Sequence, residues 1–348
     1  MNPKENEPLA PFTTLGIGGP ARWFVEAASE AEVAEAAAWA REHGVPLFVL
    51  GGGSNLLVAD AGFDGLVLHV RLRGIAAEDS AGERLFRVAA GEHWDGFVSR
   101  AVAENCAGVE CLAGIPGTAG GTPVQNVGAY GQEVASVIER VRAFDLESRQ
   151  FLEFTAAECG FSYRRSRFNS EDRGRYVVTR VDYRLRPGGA AMIAYPDVKS
   201  AILEGGATDR APSLAEVAAT VRMIRQRKGM LLVEGDADSR SAGSFFKNPV
   251  ITEERLAEIA ACGLTPPSFA AGPGMVKVPA AWLIEQAGFT KGYVLGAAGI
   301  SSRHTLALVN RGGATAAGIL ALAGIIREAV EARFGLRLEM EPVMLGFS

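Results

Sequence analysis

The sequence predicts an α+β chain whose glycine-rich loops meet a ligand, and three observations carry that reading. Short apolar runs alternate with capped helical segments along the length of the chain. Glycine accounts for 42 of 348 residues, about 12% against an ordinary ~7%, and it is clustered rather than spread. The longest uncharged cluster, residues 111–131, interleaves small and amide-bearing residues with Ile, Val and Tyr. That composition suits a backbone-lined wall against a flat or extended ligand.

A chain of this length holds two or three domains of ordinary size. Its net charge of −5 excludes the basic field that drives non-specific nucleic-acid binding, so no nucleic-acid partner is expected. Cys106, Cys111, Cys159 and Cys262 lack the paired spacing of a zinc site and are too few for a disulfide scaffold. They suit a reduced cytosol. Residues 1–7 lack the apolar core of a signal peptide. The apolar stretch 314–326 is broken by Thr315 and glycines and falls short of the ~20 residues that cross a bilayer. A cytoplasmic protein without membrane insertion is expected.

Taken in order, residues 13–21 form a first glycine cluster, read as a turn before a strand over 23–25. Ser29-Glu30-Ala31-Glu32 has capping-box spacing, and Gly44 stands where that helix should end. Apolar runs over 46–50 and 56–58 then enclose Gly51, Gly52, Gly53, Ser54 and Asn55. Three glycines can turn their N–H groups toward an anion, with a pyrophosphate as the natural guest and Ser54 and Asn55 at the rim. A Rossmann loop would need glycine at Leu56 and a helix directly after it, and a Walker loop would need Gly-Lys-Ser/Thr. Neither is present, and a plain turn between strands is the alternative for this loop taken alone.

Strands over 66–70 and 85–90 and a helix over 94–105 follow. Strands near 141–144, 177–185 and 192–195 predict a second sheet. Between them, Arg164, Arg165 and Arg167 lie among aromatics, either as a solvated basic face or with one guanidinium turned inward against developing negative charge. The helix over 213–228 ends in Arg225-Gln226-Arg227-Lys228, which helix electrostatics explains without a ligand. Loop 235–239 reads as a domain boundary. Ser244, beside Phe245 and Phe246, is either a hydroxyl in a shaped apolar site or a turn serine bonded to its own backbone. Helices over 252–262, 280–286 and 314–334 surround a strand over 306–309. Residues 336–345 read as a closing strand with Glu339 and Glu341 on one face.

The order and wording of these motifs resemble the UDP-N-acetylenolpyruvoylglucosamine reductase (UDP-N-acetylmuramate dehydrogenase) family, in its longer subtype with a tyrosine substrate loop. The resemblance runs through TTLGIGGPA from Thr13, GGGSNLL from Gly51, GIPGTAGGTPVQNVGAYG from Gly114, SYRRSRF from Ser162, RQRKGM from Arg225, SAGSFFKNP from Ser241, WLIEQAG from Trp282 and LEME from Leu338. It implies an α+β, FAD-binding fold of the vanillyl-alcohol oxidase type, with two α+β subdomains (1–76 with 335–348, and 77–233) and a third α+β substrate-binding domain (234–334). It also implies noncovalent FAD, NADPH as co-substrate, and reduction of UDP-N-acetylglucosamine enolpyruvate to UDP-N-acetylmuramate. None of His43, His69, His93 and His304 stands where a covalent flavin link is expected. A monomer is expected.

Carried over residue by residue, the resemblance places Gly51, Gly52, Gly53, Ser54, Asn55, Gly114, Ile115, Pro116, Gly117, Gly120, Gly121, Gln125, Asn126, Gly128 and Arg225 at the cofactor. Tyr163, Tyr195, Lys228, Asn248 and Gln286 match substrate-contacting positions. Arg164 would stabilise the enolate, Ser244 would donate the proton, and Glu341 would polarise the carboxylate or relay a proton. The family commonly has Leu-Glu-Pro-Glu where this chain has Leu338-Glu339-Met340-Glu341, so Glu339 is the second candidate for that role. Lys247, Asn248 or a water chain would support Ser244. Two other readings fit parts of the pattern. A sister oxidase would keep the Gly51 and Gly114 segments without needing Ser244, and a noncatalytic nucleotide-sugar binder would need no flavin wall.

Overall fold

The capping signal at Ser29 is realised in the computed structural model of the chain, which describes residues 1–204 and 210–347. Ser29 accepts from the Glu32 N–H while the Glu32 carboxylate accepts from the Ser29 N–H, opening the helix Glu30–Glu42. Gly44 follows with φ +63, the left-handed geometry that closes a helix. Val33, Ala36 and Ala40 recur at helical spacing and are buried, so the small residues of this alanine-rich run face the core.

The chain divides into two compact units. One comprises Met1–Glu7, Ala21–Gly53 and Phe63–Gln226, and the other Pro8–Pro20, Ser54–Gly62 and Arg227–Ser348. This cut differs from the three-part division expected above. Segments 8–20 and 54–62 lie with the C-terminal part because the strand Val343–Leu345 pairs in parallel with Leu56–Val58. Ser348, the last residue of that expected division, is outside the described residues, as are 205–209.

In the first unit, the strands Pro20–Ala27 and Leu47–Leu50 flank Phe63–Val70, both parallel to it. Residues 65–70 are buried throughout, as expected for a strand covered on both faces. A second, antiparallel sheet runs in the order Phe151–Thr155, Ile138–Asp145, Tyr176–Pro187, Glu83–Ala89, Ile75–Ser80. The edge strand Ile75–Ser80 is mostly exposed and its second half is Glu-Asp-Ser, so no long apolar run marks it in the sequence. Arg142 on the second sheet makes a two-pronged bond, 2.8 and 3.0 Å, to Glu30 at the start of the helix Glu30–Glu42, and Thr179 adds a third at 2.7 Å. Trp94, Phe97, Phe86 and Tyr183 fill the core beside this sheet. The buried Tyr183 hydroxyl meets Thr122 Oγ1 at 2.7 Å and the Ala119 carbonyl at 3.3 Å, so it is satisfied and ties the turn 119–122 to the sheet.

The second unit is built on the helix Ala316–Phe334, whose buried Ile319, Leu322, Ala323, Ile326, Val330 and Phe334 form one continuous stripe. Asp60 accepts from the Ala316 and Ala317 N–H groups at 2.7 and 3.0 Å, a carboxylate at the positive helix end. Around the helix lie two three-stranded sheets, in the orders Val250–Thr252, Met275–Lys277, Phe269–Ala270 and Val294–Leu295, Ala298–Ile300, Leu308–Asn310. The glycines of residues 13–21 serve close packing here. A Cβ on Gly18 would lie 2.6 Å from Val58 Cβ, and one on Gly19 would lie 2.3 Å from the Asp60 carbonyl oxygen.

Three expected strands change. Residues 192–195 form none, because the Met192 N–H and carbonyl are taken by the side chains of Glu110 and Cys111. The strand over 306–309 lies at Leu308–Asn310. Of 336–345 only Val343–Leu345 is a strand, Met340 making an isolated bridge to Phe246 instead.

The four cysteines are free, with Cys106, Cys111 and Cys159 buried and Cys262 exposed. Burial pushes the Cys111 and Cys159 thiols from an ordinary 9.0 up to about 12. The unfolded chain releases these protons first, so their contribution to stability is complete below pH 9.0 and is lost as pH rises toward 12. We therefore expect an aromatic disulfide reagent to titrate Cys262 alone in native protein and all four thiols in urea, and unfolding midpoints to fall above pH 9. A second fast-reacting thiol in the native protein would contradict this packing.

Candidate active site

In the first unit the two central glycine segments lie against each other. A Cβ on Gly52 would fall 2.6 Å from Gly117 Cα, and one on Gly51 would fall 2.9 Å from Thr118 Oγ1. Gly53 and Gly117 have φ +59 and +122. The loop 117–120 is laced along residues 90–94 by Trp94 N–H to Gly117 O, Ala119 N–H to Glu92 O and Gly120 N–H to Ala90 O, at 3.1, 2.9 and 2.9 Å. Gly120 also has no room for a side chain, its Cβ position lying 2.5 Å from Ala90 Cβ, whereas Gly121 is exposed beside open space.

Gly114 is held through both of its backbone polar groups. Its N–H donates to Asp95 Oδ1 at 2.6 Å, and its carbonyl accepts from Arg225 Nε at 3.0 Å. Arg225 is 7% exposed, so it is not the solvated helix end that its position in the sequence allows. Burial pushes its pKa down from the ordinary value, yet a guanidinium stays charged at neutral pH. Asp95, which no sequence signal singled out beyond its place in the first turn of the helix Trp94–Ala103, also accepts from Arg222 at 2.7 Å. It thereby joins the Gly114 segment to the helix Leu214–Arg227. Ile115, Pro116, Gln125 and Gly128 are half-buried along the same wall.

Arg164 is turned toward this wall. Its Nη2 donates to Gly128 O at 2.8 Å and its Nη1 to Asn126 O at 3.4 Å. The Tyr163 ring lies beside the guanidinium, 5.4 Å from its centroid to Cζ. Arg164 has φ +55, and Asn126 and Tyr130 share this rare geometry at +45 and +50. The Asn126 side chain bonds Glu133, the Ser162 carbonyl and the Ala135 N–H at 2.9, 3.0 and 3.1 Å. Its visible work is therefore to hold the Arg164 loop against the wall. Tyr195 is 37% exposed and packs edge-on against Tyr130 at 5.5 Å.

In the second unit Ser244 is half-buried between Gly243 and the fully buried Phe245. Phe245 donates to Leu306 O and accepts from the Glu341 N–H, at 2.8 and 2.9 Å, and the Lys247 N–H donates to Glu339 O at 2.9 Å. Ser244 and Glu341 are thus carried on adjoining backbone. Asn55 does more than rim a loop: its Nδ2 donates to Glu341 O at 3.3 Å, and its own carbonyl accepts from Val343 N–H at 2.9 Å. The Lys247 and Asn248 side chains, expected along with a water chain to support Ser244, have other partners. Lys247 Nζ pairs with Glu339 at 2.7 Å, and Asn248 Oδ1 accepts from Ala280 N–H at 2.9 Å, at the start of the helix Ala280–Gln286. Glu339 is thereby occupied at an exposed position, leaving Glu341 as the half-buried acid. Lys228 and Gln286 are half-buried, the latter accepting from Arg333 through its backbone carbonyl.

A backbone cradle without room for side chains, with a buried guanidinium behind it, fits the pyrophosphate of a dinucleotide. Residues 21–149 match the FAD binding domain family, which places the chain in the class of flavin-binding proteins. The C-terminal part narrows that class, since residues 235–345 match the UDP-N-acetylenolpyruvoylglucosamine reductase, C-terminal domain family. The UDP-N-acetylenolpyruvoylglucosamine reductase of Streptomyces coelicolor is 48% identical over 97% of this chain and 89% of its own length. The enzyme of that name from Thermobifida fusca is 47% identical over 98% and 97%. The crystal structure of the Thermus caldophilus UDP-N-acetylenolpyruvylglucosamine reductase superposes with a TM-score of 0.67 at 28% identity, covering 99% of both chains. The chain belongs to the UDP-N-acetylenolpyruvoylglucosamine reductase family, and its fold is that family's α+β FAD-binding fold.

Two substitutions test the cradle. Gly52→Ala puts a methyl group into Gly117 and should yield protein that purifies without FAD. Asp95→Asn removes a charge-assisted bond to Gly114 and should weaken FAD binding about tenfold or more, read by fluorescence of released flavin on dilution.

Proposed function

We propose that the chain catalyses NADPH-dependent, FAD-mediated reduction of UDP-N-acetylglucosamine enolpyruvate to UDP-N-acetylmuramate, a step of peptidoglycan precursor synthesis. The observation that carries this reading is near-full-length similarity to reductases of that name at up to 48% identity. FAD held by this chain's residues would supply hydride transfer from NADPH to the methylene carbon of the enolpyruvyl group. Residues 51–55 cradle the pyrophosphate, the wall 114–128 lines the rest of the cofactor, and Arg225 adds a fixed positive charge. Residues 1–76 with 335–348 and 77–233 serve the cofactor, and 234–334 serve the substrate.

Hydride addition leaves an electron pair on the carbon that bears the carboxylate, delocalised as an enolate. Arg164 stabilises that charge, and its loop is already fixed through Asn126 and Gly128, so little reorganisation is needed as charge develops. Ser244 then gives its proton to the same carbon, leaving the lactyl ether, and Glu341 polarises the substrate carboxylate or relays the replacement proton. Because Lys247 and Asn248 are engaged elsewhere, water brings the proton back to the serine. Tyr163, Tyr195, Lys228, Asn248 and Gln286 bind the substrate.

Anaerobic stopped-flow absorbance separates the steps. Ser244→Ala should leave flavin reduction by NADPH intact while slowing flavin reoxidation by substrate about 10²–10⁴-fold. Equal slowing of both half-reactions would exclude Ser244 as the proton donor, and reduced flavin that this substrate cannot reoxidise in the unaltered protein would favour the sister-oxidase reading.

A further inference from the structure

Two polar side chains deep in the first unit take no part in the chemistry described so far. Glu110 is 1% exposed and Gln132 4%, and burial of that kind persists only when every polar atom is used. Glu110 Oε2 accepts from the Gly108 N–H at 2.8 Å, and Oε1 accepts from Gln132 Nε2 at 2.8 Å and from the Met192 N–H at 2.9 Å. Gln132 Oε1 accepts from the Cys111 N–H at 2.8 Å, and the Cys111 thiol donates to the Met192 carbonyl at 3.3 Å. The backbone of Met192 is therefore gripped on both sides by consecutive residues of the short 3-10 helix Glu110–Leu112. Three residues on, Tyr195 leads into the helix Pro196–Glu204, whose Val198 is fully buried and whose Val198 and Lys199 N–H groups donate to the Tyr195 carbonyl. A Cβ on Gly131 would lie 3.2 Å from Ala194 Cβ, and Tyr195 touches the Tyr130 ring while remaining 37% exposed.

From this arrangement we infer that Glu110 is a positioning residue for substrate binding: it fixes at Met192 the segment that carries Tyr195, so that residues 193–195 span from a buried carboxylate hub to the helix Pro196–Glu204. The inference rests on the proposed function, in which Tyr195 contacts the substrate. A buried charge-assisted hub is a rigid fixture for such an anchor, because breaking any one of its bonds strands a desolvated carboxylate. Glu110→Gln keeps the volume but turns an N–H₂ group toward donors, loosening the anchor without opening a cavity.

Steady-state kinetics of the FAD-loaded full chain, with UDP-N-acetylglucosamine enolpyruvate and NADPH, test this. In the unaltered background Glu110→Gln should raise KM for the enolpyruvate about tenfold while kcat stays within about twofold, and in a Tyr195→Ala background it should add nothing, the non-additivity expected of coupled residues. An unchanged KM, or the same factor in both backgrounds, would show a purely structural carboxylate and overturn the inference. Should Glu110→Gln fail to retain FAD, Cys111→Ala removes the bond to the Met192 carbonyl together with one buried sulfur, and leaves the Glu110 carboxylate in place. A rise in KM that disappears in the Tyr195→Ala background supports the anchor, and no rise overturns it. Failure of the unaltered protein to turn over the enolpyruvate would instead remove the proposed function, a result that needs no variant.

Discussion

The proposed cofactor wall of the first unit depends on a steric constraint: residues 51–52 approach 117–118 so closely that a β-carbon on Gly51 or Gly52 would collide with the facing segment. Backbone packed on backbone leaves N–H groups exposed to a ligand rather than to side chains. The approach is fixed from several directions. The strand Leu47–Leu50 runs directly into the first segment. The start of the helix Trp94–Ala103 bonds the second through Trp94 and Gly117. Asp95 and Arg225 then hold Gly114 by its two peptide groups. Two of these bonds are charge-assisted and the others neutral; their convergence on one short loop makes the cradle specific.

A second site of concentrated restraint lies around Arg164. Left-handed backbone at a non-glycine residue costs on the order of 1 kcal/mol or more, and Arg164, Asn126 and Tyr130 all adopt it. The fully used amide of Asn126 and the two carbonyls that receive Arg164 offset that cost. Gly128 has to be glycine here, since a Cβ would lie 2.7 Å from Glu133 Cγ and 3.4 Å from Arg164 Nη1. A guanidinium held in this way is oriented before any ligand arrives, which is the condition for effective electrostatic catalysis.

Much of this was legible in the sequence wherever a local signal coincided with the local structure. The Ser29 capping box, the apolar stripe of the helix Ala316–Phe334 and the strands beside the glycine loop are all of that kind. The amide-rich wall was legible from composition, because few other structures need so many small residues in succession. Asp95 was not legible, since an acid in a first helical turn is ordinary and its function comes from partners 19 and 127 residues away. Arg225 reads as a helix-end charge until its burial is known. The 192–195 segment misled through its apolar run Met192-Ile193-Ala194-Tyr195, which predicts a strand, whereas the Met192 backbone groups go to side chains of Glu110 and Cys111. Glu339 and Glu341 share a face in the sequence, which ranks Glu341 first only through the resemblance; their surroundings differ, Glu339 being exposed and paired with Lys247 and Glu341 half-buried.

The parallel pairing of Val343–Leu345 with Leu56–Val58 has a consequence for the order of events in synthesis. The strand that completes this pair is made long after its partner, and the carbonyls of Phe245 and Asn55 receive N–H groups of Glu341 and Val343 only once it is in place. A growing chain can assemble the parallel sheet of the first unit early, but Leu56 and its neighbours must wait, tethered beside folded structure, for the closing strand. Contacts of such long sequence separation are the slow ones to form, so the proposed proton donor and its carboxylate partner take their places late in folding.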